Sequence, residues 1–138
     1  MSKRYACILS FALFSAGALA QPFPMNKQGD VGWVCAGIGE PERAALSKME
    51  QDANLKLVFA AGKRGAYLAE VGVVVSDREG KRAALQFTAT GPICLVQAPA
   101  GRYHVEALFR DEKRSMDTTL APGAKQPGVL VFRFPNEN

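Results

Sequence analysis

The sequence predicts a mainly β protein: an antiparallel β-sandwich of about seven strands with one N-terminal helix. After residue 54, apolar and polar side chains alternate in short segments that end at glycine, proline or polar turns, as in half-buried strands. Helical periodicity is confined to a segment before this region. Because a parallel sheet needs long crossovers between its strands, usually helices, the pattern favours antiparallel pairing.

One helix is predicted over residues 41–52. It begins with a proline, which suits the first helical position, and Glu42 favours the positive end of the helix dipole. The apolar residues at helical spacing are Ala45, Leu46, Met49 and Ala53. Before the helix, residues 21–30 are expected to be a flexible, extended leader and residues 31–34 a short strand.

Seven strands are predicted after the helix. They are 55–59, 66–75, 82–90, 93–98, 102–110, 113–120 and 129–134. Glycine, proline and polar residues separate them, as at 62–65, 76–80 and 99–101. The loop 121–128 holds two prolines and two glycines.

The core is expected to consist of alternate residues of these strands. Alternation is clearest in the strand 102–110, where Tyr103 and Val105 share one face and His104 takes the other. The predicted inward side chains are Leu57, Phe59, Val73, Phe87, Tyr103, Val105, Phe109 and Phe132.

Residues 1–20 are expected to be a signal peptide that is removed on export. Lys3 and Arg4 precede an uncharged, mostly apolar stretch, and residues 18–20 read Ala-Leu-Ala, a small-x-small cleavage pattern. The alternative is a transmembrane anchor, but the apolar run is shorter than the roughly 20 residues that a span needs. The mature protein would begin at Gln21, have no membrane span and be periplasmic or secreted.

Loss of the signal peptide changes the charge balance of the protein. The formal net charge is +4, and it falls to +2 when Lys3 and Arg4 are removed. A nearly neutral domain has no strong electrostatic attraction to nucleic acid or to an anionic membrane. The sequence is 48% hydrophobic and 22% charged, as expected of one globular domain, here residues 31–138.

The mature protein keeps two cysteines, Cys35 and Cys94, because Cys7 belongs to the signal. An even number of cysteines in an exported protein favours a disulfide. This bond would tie the segment before the helix to a strand of the sandwich. Two buried free thiols are the alternative, since free cysteine is often buried.

The run VGVVVSDREGKRAALQFTATGPICLVQAPAGRYHVEALF, residues 71–109, resembles carboxypeptidase regulatory-like and Cna-B-type domains, which are prealbumin-like β-sandwiches. Pro99, Gly101 and Tyr103 match the P-x-G-x-Y turn of those domains, whose tyrosine packs inward. The resemblance covers about residues 54–134. It implies a fold and a binding, spacer or stabilising module, without an activity. The segment before it looks like the added cap of some exported proteobacterial proteins.

The sequence predicts no catalytic, metal-binding or cofactor-binding residues and no cofactor. His104 is the sole histidine and is expected to face solvent. Asp77 and Glu79 share a turn but lack the further oxygens of a calcium loop. The glycines at 37–39 precede the helix, yet they match neither a P-loop nor a dinucleotide fingerprint.

Trp33 is expected to pack across the disulfide or at one end of the sandwich. The alternative is an exposed aromatic anchor for a partner, and Trp33 is the one candidate for a partner-binding residue.

The predicted function is a non-enzymatic module that binds a protein or polymer of the bacterial envelope. A small periplasmic hydrolase is the alternative, and it would need a deep pocket that collects Arg102, His104 and a carboxylate. There are two other interpretations. One is a hydrolase inhibitor that acts through the loop 121–128, and the other is a structural spacer domain of the envelope.

Overall fold

The computed structural model describes residues 23–78, 83–123 and 125–135. The strands in these ranges are β1 Asn26–Gln28, β2 Val31–Ala36, β3 Leu55–Ala61, β4 Ala66–Tyr67, β5 Val71–Asp77, β6 Ala83–Ala89, β7 Ile93–Gln97, β8 Gly101–Phe109, β9 Glu112–Leu120 and β10 Gly128–Phe134. Helix α1 spans Glu40–Ser47, and a 3₁₀ turn spans Glu50–Asp52. The predicted signal peptide, Gln21 and Glu79 lie outside the described residues.

Two sheets, mostly antiparallel, form the fold. The six-stranded sheet has the order β1-β2-β7-β3-β10, with β4 also paired to β3, and the four-stranded sheet has the order β6-β5-β8-β9. β10 and β3 run parallel. The mainly β architecture with one helix is confirmed. Purely antiparallel pairing is wrong, and the count of seven strands is too low, since ten occur in the described part of the protein.

These differences have local causes. Glu70 has a φ of 62° and interrupts the predicted strand 66–75, so that β4 and β5 are separate strands. Asn26–Gln28, inside the predicted leader, pair with β2. After β9 the backbone passes to the other sheet and arrives beside β3 in the same direction. The alternation of apolar and polar residues along a strand shows which face is buried, but it does not show which other strand pairs with it or in which direction.

A hydrophobic core fills the space between the two sheets. Its fully buried members include Leu55, Leu57, Val71, Val73, Val75 and Val105. The rings of Phe59 and Phe132 stack there with centroids 5.8 Å apart. The inward faces predicted for the strands are correct, but Phe87 and Phe109 are only half-buried at the rim.

Helix α1 and the 3₁₀ turn cover part of the outer face of the six-stranded sheet. The buried side chains of this second cluster are Leu46, Met49, Ala53, Val34, Ala36, Ile93 and Leu95. The predicted helix 41–52 instead ends at Ser47, where the backbone tightens, and the N–H of Met49 donates to the C=O of Leu46 at 2.9 Å. No described helix is long and apolar enough to cross a membrane.

Candidate interaction surface

Trp33 lies on β2 and is half-buried at the rim of the core. Its ring stacks on Phe87 of β6, with centroids 5.4 Å apart and planes 22° apart. Because β2 and β6 belong to different sheets, this contact closes one side of the sandwich. Trp33 therefore has a packing role. Trp33 is also distant from β10, the edge strand at the other side of the six-stranded sheet, because β7 and β3 lie between β2 and β10.

Cys35 and Cys94 form a disulfide. They stand opposite each other on β2 and β7, and their Cα atoms are 4.1 Å apart. Cys94 is fully buried in the main core. The bond thus joins two neighbouring strands of one sheet, since the segment before the helix is itself a strand.

A carboxylate of α1 itself, that of Glu42, binds the backbone amides at the start of the helix. Oε2 of Glu42 accepts hydrogen bonds from the N–H groups of Gly37 and Ile38, at 3.2 and 2.6 Å. A carboxylate at a helix start satisfies free amides and suits the helix dipole. The glycine segment therefore holds a side chain of the same helix.

His104 projects from the outer face of the four-stranded sheet between two carboxylates. Its Nδ1 lies 2.6 Å from Oδ1 of Asp117, and its Nε2 lies 3.5 Å from Oε1 of Glu106. The hydrogen bond to Asp117 is the main cause that raises the pKa of His104 above its usual 6.5. Ser76, His104 and Asp117 stand opposite one another on β5, β8 and β9.

These residue types match a Ser-His-Asp triad, but the hydroxyl does not contact the imidazole. Oγ of Ser76 donates instead to the backbone carbonyl oxygen of His104, at 3.4 Å. A nucleophilic mechanism needs a hydrogen bond between hydroxyl and imidazole. A depression of about 540 Å³ on this face is lined by residues of β5, β6, β8 and β9, without Arg102 or His104. This depression is therefore not the pocket that the hydrolase alternative requires.

β10 is an edge strand of the six-stranded sheet. Successive residues of a strand direct their N–H and C=O groups to opposite sides. The N–H of Gly128 donates to the carbonyl just before β3, so even-numbered residues of β10 face β3 and odd-numbered residues face away. The C=O of Arg133 accordingly accepts from Nε of Arg114 on β9, at 3.2 Å. The N–H and C=O groups of Val129 and Val131 have no strand partner in the described ranges.

Val129 and Val131 also expose their side chains, by 55% and 38%. They lie on the outer face of the six-stranded sheet, opposite Lys56 and Val58 of β3. Proteins commonly protect such edges with charge, proline or a covering segment, so an exposed apolar edge strand calls for a function. We call Val129, Val131 and their outward backbone groups the β10 edge.

Four cations that form no ion pair with a described residue lie near the C-terminal end of β10, on both sides of β3. Cζ of Arg43 lies 5.7 Å from the centre of the Tyr67 ring, and Tyr67 is 54% exposed. The guanidinium of Arg133 lies beside Gly65, in the turn before β4. Its Nη1 is 3.7 Å from the position that a Cβ would take at Gly65. We refer to Arg43, Lys63, Arg64 and Arg133 as the basic cluster. Within the described residues, no ion pair involves any of the four.

Sequence reasoning missed this surface. The segment 128–134 reads GVLVFRF, and a nearly continuous apolar run is typical of a strand buried on both faces. The cations of the basic cluster come from three separate segments and look like ordinary solvated residues. The adjacent Lys63 and Arg64, in one turn, were the available signal.

Comparisons with known proteins do not assign a function: no protein-family model and no curated protein matches the sequence. The surface itself is therefore the basis for a functional proposal.

Proposed function

We propose that this protein is an exported, non-enzymatic β-sandwich module that binds a protein or polymer partner in the bacterial envelope. The observation that carries the proposal is the β10 edge, where unpaired backbone groups and exposed valines lie beside the basic cluster. An exposed apolar surface with a polar rim marks an interaction site.

We also propose that the fold is prealbumin-like, of the carboxypeptidase regulatory-like or Cna-B type. Tyr103 supports this assignment, because it is buried and its hydroxyl donates to the C=O of Pro99 at 2.7 Å. That is the inward tyrosine expected from a P-x-G-x-Y turn. An experimental structure in which the strand connections differ from those of such domains would overturn the assignment.

Export is supported by the Cys35–Cys94 disulfide, since disulfides persist in oxidising compartments outside the cytoplasm. An intact-mass measurement of the exported protein tests the cleavage site, and the expected first residue is Gln21. Retention of residues 1–20 in the exported protein would contradict it.

Site-specific photo-crosslinking tests the proposed function. A photo-reactive amino acid replaces Val131 in cells that export the protein, and a matched protein carries it at Thr119. Thr119 is equally suitable as an exposed strand position, but it lies on the four-stranded sheet. We expect a defined adduct from position 131 and none from position 119.

The two positions make the outcome decisive. Equal adducts from both positions would indicate random collision, and no adduct from position 131 would remove the β10 edge as a binding surface. Arg133→Glu, made together with the probe at position 131, should weaken the adduct if the basic cluster takes part in binding.

A further inference from the structure

We infer that the β10 edge binds an extended acidic polypeptide segment, which adds to the six-stranded sheet as a further strand beside β10. This inference rests on the proposed function and names the kind of partner. Strand addition to an exposed sheet edge is a recurrent mode of peptide recognition. Backbone hydrogen bonds provide affinity in that mode, and side chains provide specificity.

The backbone of β10 selects a polypeptide. The N–H and C=O groups of Val129 and Val131 point away from β3 and repeat at the two-residue spacing of a strand. An extended polypeptide offers donors and acceptors at the same spacing. Because Arg114 already occupies the C=O of Arg133, the added strand is expected to pair with Val129 and Val131 and to continue past Arg133.

The charges around the edge select an acidic segment. Arg133 follows Val131 by two residues on β10, and its guanidinium lies against the turn between β3 and β4. The basic cluster therefore lies at the C-terminal end of β10, with Tyr67 and Arg43 across β3 from the unpaired backbone groups. Lys56, at the other end of the edge, is already neutralised by Glu50 at 2.5 Å. A single exposed ion pair contributes little, but several neighbouring cations attract and orient a segment of opposite charge.

A second copy of this protein fits the same surface less well. Antiparallel pairing of two β10 edges would bring Arg133 of one copy towards the Lys125 end of the other. Parallel pairing would place two Arg133 side chains together. Both arrangements place positive charges next to each other, which disfavours pairing of two copies. An anionic glycan would meet the basic cluster but would leave the backbone groups and both valines unmatched.

Binding of short synthetic peptides to the purified mature protein tests the inference. The probe is an eight-residue peptide that alternates valine and glutamate. One control peptide carries N-methyl groups on consecutive central amides, so neither of its edges can pair, and another has lysine in place of glutamate. Each control peptide should bind at least about tenfold more weakly than the probe. Binding of the probe should shift the backbone amide NMR signals of Val129 and Val131.

Protein variants separate the backbone contribution from the charge contribution. Val131→Pro removes an N–H that points away from β3 and leaves the hydrogen bonds between β10 and β3 intact. It should weaken binding of the probe peptide about tenfold. Arg133→Glu should weaken it about fivefold. Arg102→Glu, the same charge change on an exposed residue of β8, should leave binding unchanged. The N-methylated peptide tests the same bonds in the unaltered protein, so the result does not depend on how Val131→Pro folds.

Each other outcome overturns the inference. Binding that survives both Val131→Pro and N-methylation but is lost in Arg133→Glu would mean ion pairing alone. Absence of probe binding, or a dimer in light scattering in which the β10 edge is occupied, would remove the acidic segment as the partner. If crosslinking at position 131 still captures a partner, the proposed function stands and only the kind of partner is wrong.

Discussion

The imidazole of His104 and the carboxylate of Asp117 form a hydrogen-bonded pair across β8 and β9, with 2.6 Å between Nδ1 and Oδ1. The carboxylate favours the protonated imidazole and so raises the pKa of His104 above 6.5. In the unfolded protein the imidazole has no such partner. The folded state therefore holds the proton more tightly than the unfolded state does.

The stability of the protein should consequently depend on pH. The contribution of His104 to the free energy of unfolding is fully present below the unfolded pKa of about 6.5. It is lost as the pH rises through the higher pKa of the folded state. Both side chains are partly exposed, so the change should be small. Urea titrations at several pH values between about 6 and 9, with an NMR titration of the single imidazole, measure it.

Asp117→Asn provides the control for this pair. It should lower the pKa of His104 and flatten the pH dependence of stability above neutrality. Asp111→Asn, at an exposed carboxylate in the turn between β8 and β9, should leave both unchanged. A pKa at or below 6.5 for His104 in the unaltered protein would contradict the structure.

Core substitutions should separate the fully buried aromatic residues from those at the rim. Phe132 is fully buried and stacked on Phe59, so Phe132→Ala should cost about 3–5 kcal/mol. Phe109 is half-buried against Phe134, and Phe109→Ala should cost about half as much. Leu108→Ala, at an exposed position, should change stability by under about 0.5 kcal/mol. Denaturant titrations measure all three, and equal losses for Phe109 and Phe132 would be inconsistent with the described packing.

The inward faces of the strands could be predicted because period-two alternation is a local property of the sequence. Tyr103 and Val105 are buried while His104 between them is not, as the sequence indicates. The parallel partner of β10 could not be predicted in this way. It depends on where the loop before Gly128 delivers the backbone, and no residue of β10 encodes that position.

The interaction surface was harder to predict because its parts are distant in sequence. Arg43 reaches Tyr67 only once α1 is packed on the six-stranded sheet. Val129 and Val131 look like core residues in the sequence, and their exposure results from the edge position of β10. Such information lies in tertiary packing and not in local patterns.

Gly91 should tolerate no larger residue. A Cβ there would lie 2.5 Å from the carbonyl oxygen of Ala36, which is held in β2 and cannot move away freely. Gly91→Ala should therefore destabilise the protein by about 1–3 kcal/mol. Gly72→Ala is the matched control, because its nearest neighbour, the carbonyl oxygen of Leu108, is 3.6 Å away. We expect Gly72→Ala to be neutral or slightly stabilising in thermal unfolding, and a similar loss at both positions would contradict the proposed close approach.

Reduction of the Cys35–Cys94 disulfide should loosen one side of the molecule before the rest. The two cysteines are 59 residues apart in sequence, and closure of such a loop stabilises by about 4 kcal/mol through the lost entropy of the unfolded state. β2 lies near the edge of its sheet, with only the short β1 beyond it, and α1 packs on β2 and β7. Hydrogen exchange with and without reductant should therefore show loss of protection first in residues 31–53, while β5 and β8 keep theirs. Cys35→Ala combined with Cys94→Ala should give the same pattern without reductant. Equal protection of residues 31–53 in both states would remove the proposed role, and two titratable thiols in the denatured, non-reduced protein would remove the disulfide itself.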